Sequence, residues 1–241
     1  MKLYQDIKFI GKKGRPFFYT NFVSTIDGKI QVVSSPKAYW PIGSKEDYET
    51  LIELRAHADV LIHGKNTAMW IRTLDNLEKE SFRKRRKQLG KKKDIVYVVI
   101  SNNPTSEIAQ YLNSKKNVVK TLLATSEKAK AGEKISKATN TLRLGREELN
   151  LRSLASYFKK NNLKNILVEG GPTLLGSFLK EDLIDEVFLT IAPKIFGNTE
   201  KDAITMVEGV LFAPDKVKKL KLLSSKVLGD EICLRYKIEQ K

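Results

Sequence analysis

The 241-residue sequence predicts a mixed α/β fold, with a mostly parallel central sheet, helices on both faces and antiparallel strands at the C-terminal edge. Three observations carry this. Strand-like and helix-like segments alternate along most of the chain, the pattern of parallel strands joined by crossover helices. Ile95 to Ile100 (IVYVVI) is an almost continuous apolar run, as in a strand covered on both faces. Near the C-terminus strand-like segments follow one another directly, which suits antiparallel pairing at one edge.

Each element has its own signal. Phe17 to Ser24 (FFYTNFVS) is aromatic and β-branched, as strands prefer. Ser44 to His57 reads as a helix, with Leu51, Ile52 and Leu54 among charges, Ser44 as N-cap and Asp47 three residues on. Asp59 to His63 is a short buried strand, and Val118 to Ala124 a weaker one after Ile95 to Ile100. Glu147 to Asn162 carries the stripe Leu151, Leu154, Ala155 and Phe158 of a helix. Asn165 to Glu169 is the next strand, and Pro172 opens a helix to Lys180. Glu186 to Ala192 and Glu231 to Ile238 are strands, with Leu220 to Val227 as a partner. The Lys-rich stretch Ser126 to Lys137 reads as a mobile loop. No internal repeat or low-complexity linker divides the chain, so residues 1–241 are expected to form one domain.

Composition narrows the function. Hydrophobic residues make up 41% and charged residues 30%, which fits a globular protein. Met1 to Ile10 lacks the apolar core of a signal peptide, and no apolar run is long enough to span a bilayer; a cytoplasmic address is the expectation. Cys233 is the only cysteine, so neither an intrachain disulfide nor a cysteine metal site is expected. His57 and His63 stand six apart, not the same-face spacing of a metal pair, so no metal is predicted. The net charge of +16 favours anionic partners such as phosphorylated metabolites or nucleotides. The runs Arg83 to Lys87 and Lys91 to Lys93 read as a solvated basic loop or helix end. No aromatic residues interleave with them as stacking platforms, which disfavours a nucleic-acid site.

Three stretches carry the chemistry. In Val168-Glu169-Gly170-Gly171-Pro172-Thr173-Leu174-Leu175-Gly176 a buried strand ends at a carboxylate, two glycines turn the chain, and Pro172 takes the first helical position. Glycines allow close approach of backbone to ligand, and the helix start favours a diphosphate; a tight turn with no ligand is the plainer reading. In Asn21 to Ile30 a strand gives way to a polar turn at Asp27-Gly28, which by itself is only a turn. In Arg55 to Thr67 a helix end, a strand and a glycine loop follow one another; Arg55 then interacts with the helix C-terminus and Thr67 caps the next helix, or both serve a ligand.

In this order and spacing, the three stretches resemble the pyrimidine reductases of riboflavin biosynthesis, the RibD C-terminal-domain-like family with a dihydrofolate-reductase-like fold. The matching residues are Thr25-Ile26-Asp27-Gly28-Lys29, Arg55 with Ala58-Asp59 and Gly64 to Thr67, and Glu169 to Leu174. Asp185-Glu186 and Ile191-Ala192-Pro193 follow, so the resemblance runs from about Phe17 to Tyr236.

The resemblance implies an NADPH-dependent oxidoreductase that reduces a phosphorylated (di)amino-ribosylaminopyrimidine to its ribitylamino form. It places the cofactor phosphates at Gly170, Gly171, Pro172, Thr173, Leu174, Leu175, Gly176 and Ser177. Ser24, Trp40, Gly64 and Thr67 line the rest of the cofactor, and Ser101 lies near the adenosine 2′-phosphate. Arg55 and Glu169 hold the pyrimidine; Asp27 and Lys29 are candidates for assisting sugar-ring opening. A homodimer is implied as well. No H-x-E with P-C-x-x-C is present, so the deaminase half of fused members is not expected. The sequence departs from the family at Ile71, where an Asp is usual, and at Ala38, where a hydroxyl is usual. The altered loop at Ile71 leaves a reductase of a pterin or another small heterocycle as the alternative, and the net charge leaves a nucleic-acid-binding protein on the same fold as a more distant one.

Overall fold

The computed structural model describes residues 3–11, 14–32, 42–71, 74–91, 94–130, 135, 139–198 and 203–239. The chain packs as two compact units. One comprises Met1–Ile7, Phe18–Leu54 and Pro172–Lys241; the other comprises Lys8–Phe17 and Arg55–Gly171. Elements are numbered along the chain. The fold is mixed α/β with largely parallel strands and antiparallel strands at one edge, as the alternation of elements predicts.

The first unit is built on strand β1 (Phe17–Thr25), which runs parallel to β8 (Glu186–Ala192), with Tyr19 opposite Glu186 and Thr25 opposite Ala192. On its other side β8 pairs antiparallel with β11 (Glu231–Ile238), and β11 with β10 (Leu220–Leu228). Gly229, at φ +60°, turns the β10–β11 hairpin, a conformation suited to glycine. Leu220, Leu222 and Leu223 of β10 are exposed. A short pair, β2 (Gln31–Val32) with β9 (Ala203–Ile204), stands apart from these strands. Helix α7 (Pro172–Lys180) buries Leu175, Phe178 and Leu179, and the Phe178 ring meets Phe18 of β1 at 5.7 Å.

Helix α1 (Lys45–His57) starts as its sequence predicts: Ser44 Oγ accepts the N–H of Asp47 at 3.0 Å, an N-cap bond. The hydroxyl and N–H of Ser44 in turn donate to Glu231, at 2.6 and 2.7 Å. Asp47 lies buried beside that carboxylate. Burial, and then the charge of Glu231, push its pKa up to about 6. Cys233 is buried close by, with the Thr190 hydroxyl directed at its sulfur at 3.8 Å.

The second unit holds five strands in the order β7-β3-β4-β5-β6, all parallel. They are β3 (Val60–Gly64), β4 (Val96–Ile100), β5 (Lys120–Thr125), β6 (Thr141–Arg143) and β7 (Asn165–Val168). Every residue of β4 is buried, which explains its uninterrupted apolar run. Helices α5 (Ser106–Ser114) and α6 (Leu151–Lys160) supply the crossovers after β4 and β6, burying Ile108 and Leu112, and Leu154 and Phe158.

Several boundaries differ from expectation for local reasons. Helix α6 begins at Leu151 rather than Glu147, because Asn150 caps it through its side chain at 2.8 Å. Strand β3 begins after Asp59, whose carboxylate accepts the N–H groups of Lys164 and Asn165 and pairs with Lys91. Helix α2 (Lys65–Ile71) starts directly where a glycine loop was expected, so Thr67 lies inside a helix and is not its cap. Arg83 to Lys87 lie on helix α4 (Glu80–Gln88), which follows the short α3 (Asp75–Glu78). One of those cations is not solvated: Arg86 is buried and donates to the carbonyls of Ala56 and Ala58. Half of Ser126 to Lys137 lies outside the described residues, and the part that is described begins with the buried Ser126. Among the described residues no helix is long and apolar enough to cross a membrane.

Candidate active site

The chemistry gathers where β3 and β7 end in the second unit. Register with β3 continues one residue past β7, since the Glu169 N–H donates to Ile62 at 3.1 Å. There the Glu169 carboxylate meets Arg55, in the last turn of α1. Arg55 Nε donates to Oε1 at 2.7 Å and Nη2 to Oε2 at 2.5 Å. Such a two-pronged pair fixes orientation as well as charge. Both side chains are only 4% exposed, so the pair sits in a poorly solvated setting. Burial pushes the Glu169 pKa up, but the Arg55 charge and the hydrogen bonds from Arg55 and His63 outweigh it and hold it at about 2. Glu169 is therefore an ionised acceptor at neutral pH.

His63, on β3, completes this cluster. Its Nε2 lies 3.0 Å from Glu169 Oε2, and its Nδ1 lies 3.0 Å from the Tyr97 hydroxyl of β4. Sequence reasoning weighed His63 only as a metal ligand and missed both residues. The available signal was a polar ring at the end of the otherwise apolar Val60-Leu61-Ile62.

The glycine turn follows immediately. Gly170 has φ +105°, a conformation that side chains disfavour, and the Gly170–Gly171 peptide is cis. The Gly64 N–H donates to the Gly170 carbonyl at 2.7 Å, tying the end of β3 to the turn. A β-carbon on Gly171 would stand 3.0 Å from Thr67 Oγ1, so a hydroxyl and a bare backbone approach closely here. The next residue, Pro172, opens α7, whose first N–H groups lack partners within the helix. Within the second unit, this arrangement fits a phosphate group: a side-chain-free turn and a hydroxyl beside it. Ser101, just past β4, is buried and accepts the Asn103 N–H at 3.1 Å.

The expected phosphate stretch is not uniform. Thr173 is exposed and Leu174 half-buried, whereas Leu175 is wholly buried. Gly176 is packed against backbone, since a β-carbon there would stand 2.6 Å from the Glu208 carbonyl. Ser177 is exposed and its hydroxyl bonds to the Thr173 carbonyl at 3.1 Å.

In the first unit, Ser24 is buried on β1. Beyond the strand, Asp27-Gly28 forms the expected turn, with Gly28 at φ +78° and its N–H on the Thr25 carbonyl. The Asp27 carboxylate accepts from the Thr25 hydroxyl at 2.5 Å and from the N–H groups of Phe196 and Gly197 at 3.3 and 2.8 Å. These bonds, the one from Thr25 foremost, lower its pKa. Lys29 reaches back to the Asp27 carbonyl at 3.3 Å. Both residues thus order their own turn. Trp40 and Ala38 lie outside the described residues.

Comparison with known proteins decides the family. The family model for the RibD C-terminal domain matches residues 16–234. The chain belongs to the RibD C-terminal domain family. Its RibD-family relatives include a 2,5-diamino-6-ribosylamino-4(3H)-pyrimidinone 5′-phosphate reductase of Archaeoglobus fulgidus, 25% identical over 219 residues, covering 90% of this chain and 95% of that protein. The enzyme of the same name from Methanothermobacter thermautotrophicus is 27% identical over 230 residues, covering 93% and 99%. Against the riboflavin biosynthesis protein RibD of Aquifex aeolicus, 28% identity extends over 76% of this chain but 48% of that protein. A pyrimidine reductase-like protein of Corynebacterium diphtheriae shares the fold, with a TM-score of 0.73 at 20% identity over 94% and 93% of the two chains.

Proposed function

We propose that this chain is an NADPH-dependent reductase that converts a phosphorylated (di)amino-ribosylaminopyrimidine to its ribitylamino form in riboflavin biosynthesis. Membership of the RibD C-terminal domain family and relatives named as pyrimidinone phosphate reductases support the reaction class. The observation that carries the reading is the buried Arg55–Glu169 pair set directly before the Gly170–Gly171 turn. It offers an ionised acceptor for ring N–H groups one residue away from a turn suited to phosphate.

Each residue then has a task. Glu169 accepts hydrogen bonds from the pyrimidine, and Arg55 keeps it ionised and oriented. The turn at Gly170 and Gly171, with Thr67, holds the diphosphate; Ser101 faces the adenosine end. Leu175 and Gly176 are packing positions of α7. Bound NADPH supplies the hydride for the C1′ carbon of the opened sugar. The protein's share is to align donor and acceptor and exclude water. Asp27 and Lys29 remain the candidates for assisting ring opening, acting from the turn that they order. The reading includes a homodimer, which the mass of the protein in solution tests.

The test is NADPH oxidation measured with the 5′-phosphorylated pyrimidine in both its amino and deaminated forms. Turnover of either is expected. NADPH binding without turnover of either form would transfer the assignment to a reductase of a pterin or other heterocycle. Gly171→Asp sets a carboxylate at the turn and should abolish NADPH binding; unchanged affinity would refute the phosphate assignment.

A further inference from the structure

Beyond the Arg55–Glu169 pair, a chain of hydrogen-bonding groups runs into the core of the second unit, and no part of the reading above uses it. Its members are His63 on β3 and Tyr97 on β4, with the ring of Tyr111 on α5 packed behind. His63 is fully buried, as is Tyr97. The Tyr97 and Tyr111 rings meet edge-on at 6.3 Å, and the His63 and Tyr97 rings at 5.5 Å. A histidine and a tyrosine have polar atoms that hydrophobic residues of equal size would not bury, so their alignment on one carboxylate calls for a reason.

The donor directions follow from elementary chemistry. An ionised carboxylate only accepts, so the proton between His63 and Glu169 sits on His63 Nε2. A neutral imidazole then has its lone pair on Nδ1, which must accept from the Tyr97 hydroxyl. Burial disfavours a second proton on the ring, although the Glu169 hydrogen bond and charge pull the other way. Burial likewise keeps Tyr97 a phenol. Tyr97 thereby sets the tautomer of His63, as outer partners commonly do for functional histidines.

The consequence appears on Glu169. Its Oε2 accepts from both Arg55 and His63, whereas among the described residues its Oε1 accepts from Arg55 alone. A carboxylate oxygen has two lone pairs, so one acceptor position on Oε1 is left over. We infer that His63, fixed as its Nε2–H tautomer by Tyr97, is a positioning residue that occupies Glu169 Oε2 and leaves Oε1 as the acceptor presented to an N–H of the pyrimidine. This rests on the proposed substrate reading, and it adds residues that contact no ligand themselves.

The experiment uses the full chain with NADPH and the phosphorylated pyrimidine, together with ¹⁵N NMR of the His63 ring. The groups facing that ring are Glu169, Tyr97 and Arg55, with Tyr111 behind Tyr97. In the native protein a neutral Nε2–H ring is expected from pH 6 to 8, about the range in which an ordinary histidine titrates. A Nδ1–H ring, or one that titrates in that range, would overturn the inference. Tyr97→Phe keeps the core's shape and removes only the hydroxyl. It should yield mixed tautomers and raise KM for the pyrimidine by roughly three- to tenfold, with KM for NADPH unchanged. His63→Leu should raise the same KM by about tenfold or more, and His63→Gln, which can still donate to Oε2, should recover most of the loss. Equal pyrimidine KM in all three folded variants would overturn it, as would equal rises in both KM values. Should the native protein reduce neither pyrimidine, the substrate reading fails, while the ring spectrum still decides the tautomer.

Discussion

Gly176 of α7 rests on the Glu208 carbonyl so closely that a β-carbon would stand 2.6 Å from that oxygen and 3.0 Å from a methyl of Val210. Backbone cannot give way as a flexible side chain can. Gly176→Ala is therefore expected to lower stability by about 1–3 kcal/mol, the usual cost of overpacking. Denaturant unfolding checks this. An unchanged midpoint would mean that the segment around Glu208 moves freely.

Replacing Glu169 should hurt more than activity alone. Glu169→Gln removes the negative partner and strands the buried Arg55 guanidinium, an event that typically costs about 3–5 kcal/mol. Loss of turnover and a lower melting temperature are expected together. In the native protein the Glu169 pKa is depressed, from 4.5 to about 2. Its contribution to stability is thus complete above about pH 4.5 and disappears as pH falls toward 2. In the variant, that part of the acid limb should flatten.

Asp47 behaves in the opposite sense. Its folded pKa is raised from 3.8 to about 6 by burial and by Glu231. Between those values the folded state holds a proton that the unfolded chain has released, so stability falls as pH rises through this window. Asp47→Asn removes that dependence and should stabilise the protein at pH 7 by about 2–3 kcal/mol, with little effect near pH 4. Urea midpoints at the two pH values test it; a destabilised variant at pH 7 would show that the Asp47 charge is favourable.

The basic helix α4 separates a structural cation from solvated ones. Arg86→Ala leaves two buried carbonyls, those of Ala56 and Ala58, without this donor. A loss of about 1–3 kcal/mol per unsatisfied group is the scale to expect. Lys84→Ala, on the exposed side of the same helix, should change stability by no more than about 0.5 kcal/mol. Equal effects would contradict the buried role of Arg86.

Much of the architecture could be read from the residues because the longer strands carry their own signatures. The run Ile95 to Ile100 is buried throughout, and the Ser44 cap is where its hydroxyl predicts. The short strands β2, β6 and β9 escaped notice because two or three residues show no alternation, and so did α2, α3, α4 and α5, whose apolar stripes are short, thin or broken by charge. Helix α4 buries only Phe82 and Arg86. The pairing of Arg55 with Glu169 was approached through the family pattern alone, since 114 residues separate them and no local periodicity links them. His63 escaped for a different reason: a lone polar ring in an apolar strand says that a partner exists but not which one.

Cys233 lies sealed in β11, and burial raises its pKa above that of an ordinary thiol. It is the chain's sole sulfhydryl. A thiol-specific dye can therefore reach the folded protein only through an opening of the C-terminal strands, and unreactive protonated sulfur slows it further. The unmodified sequence thus contains its own gauge of how often that edge breathes, with no residue exchanged.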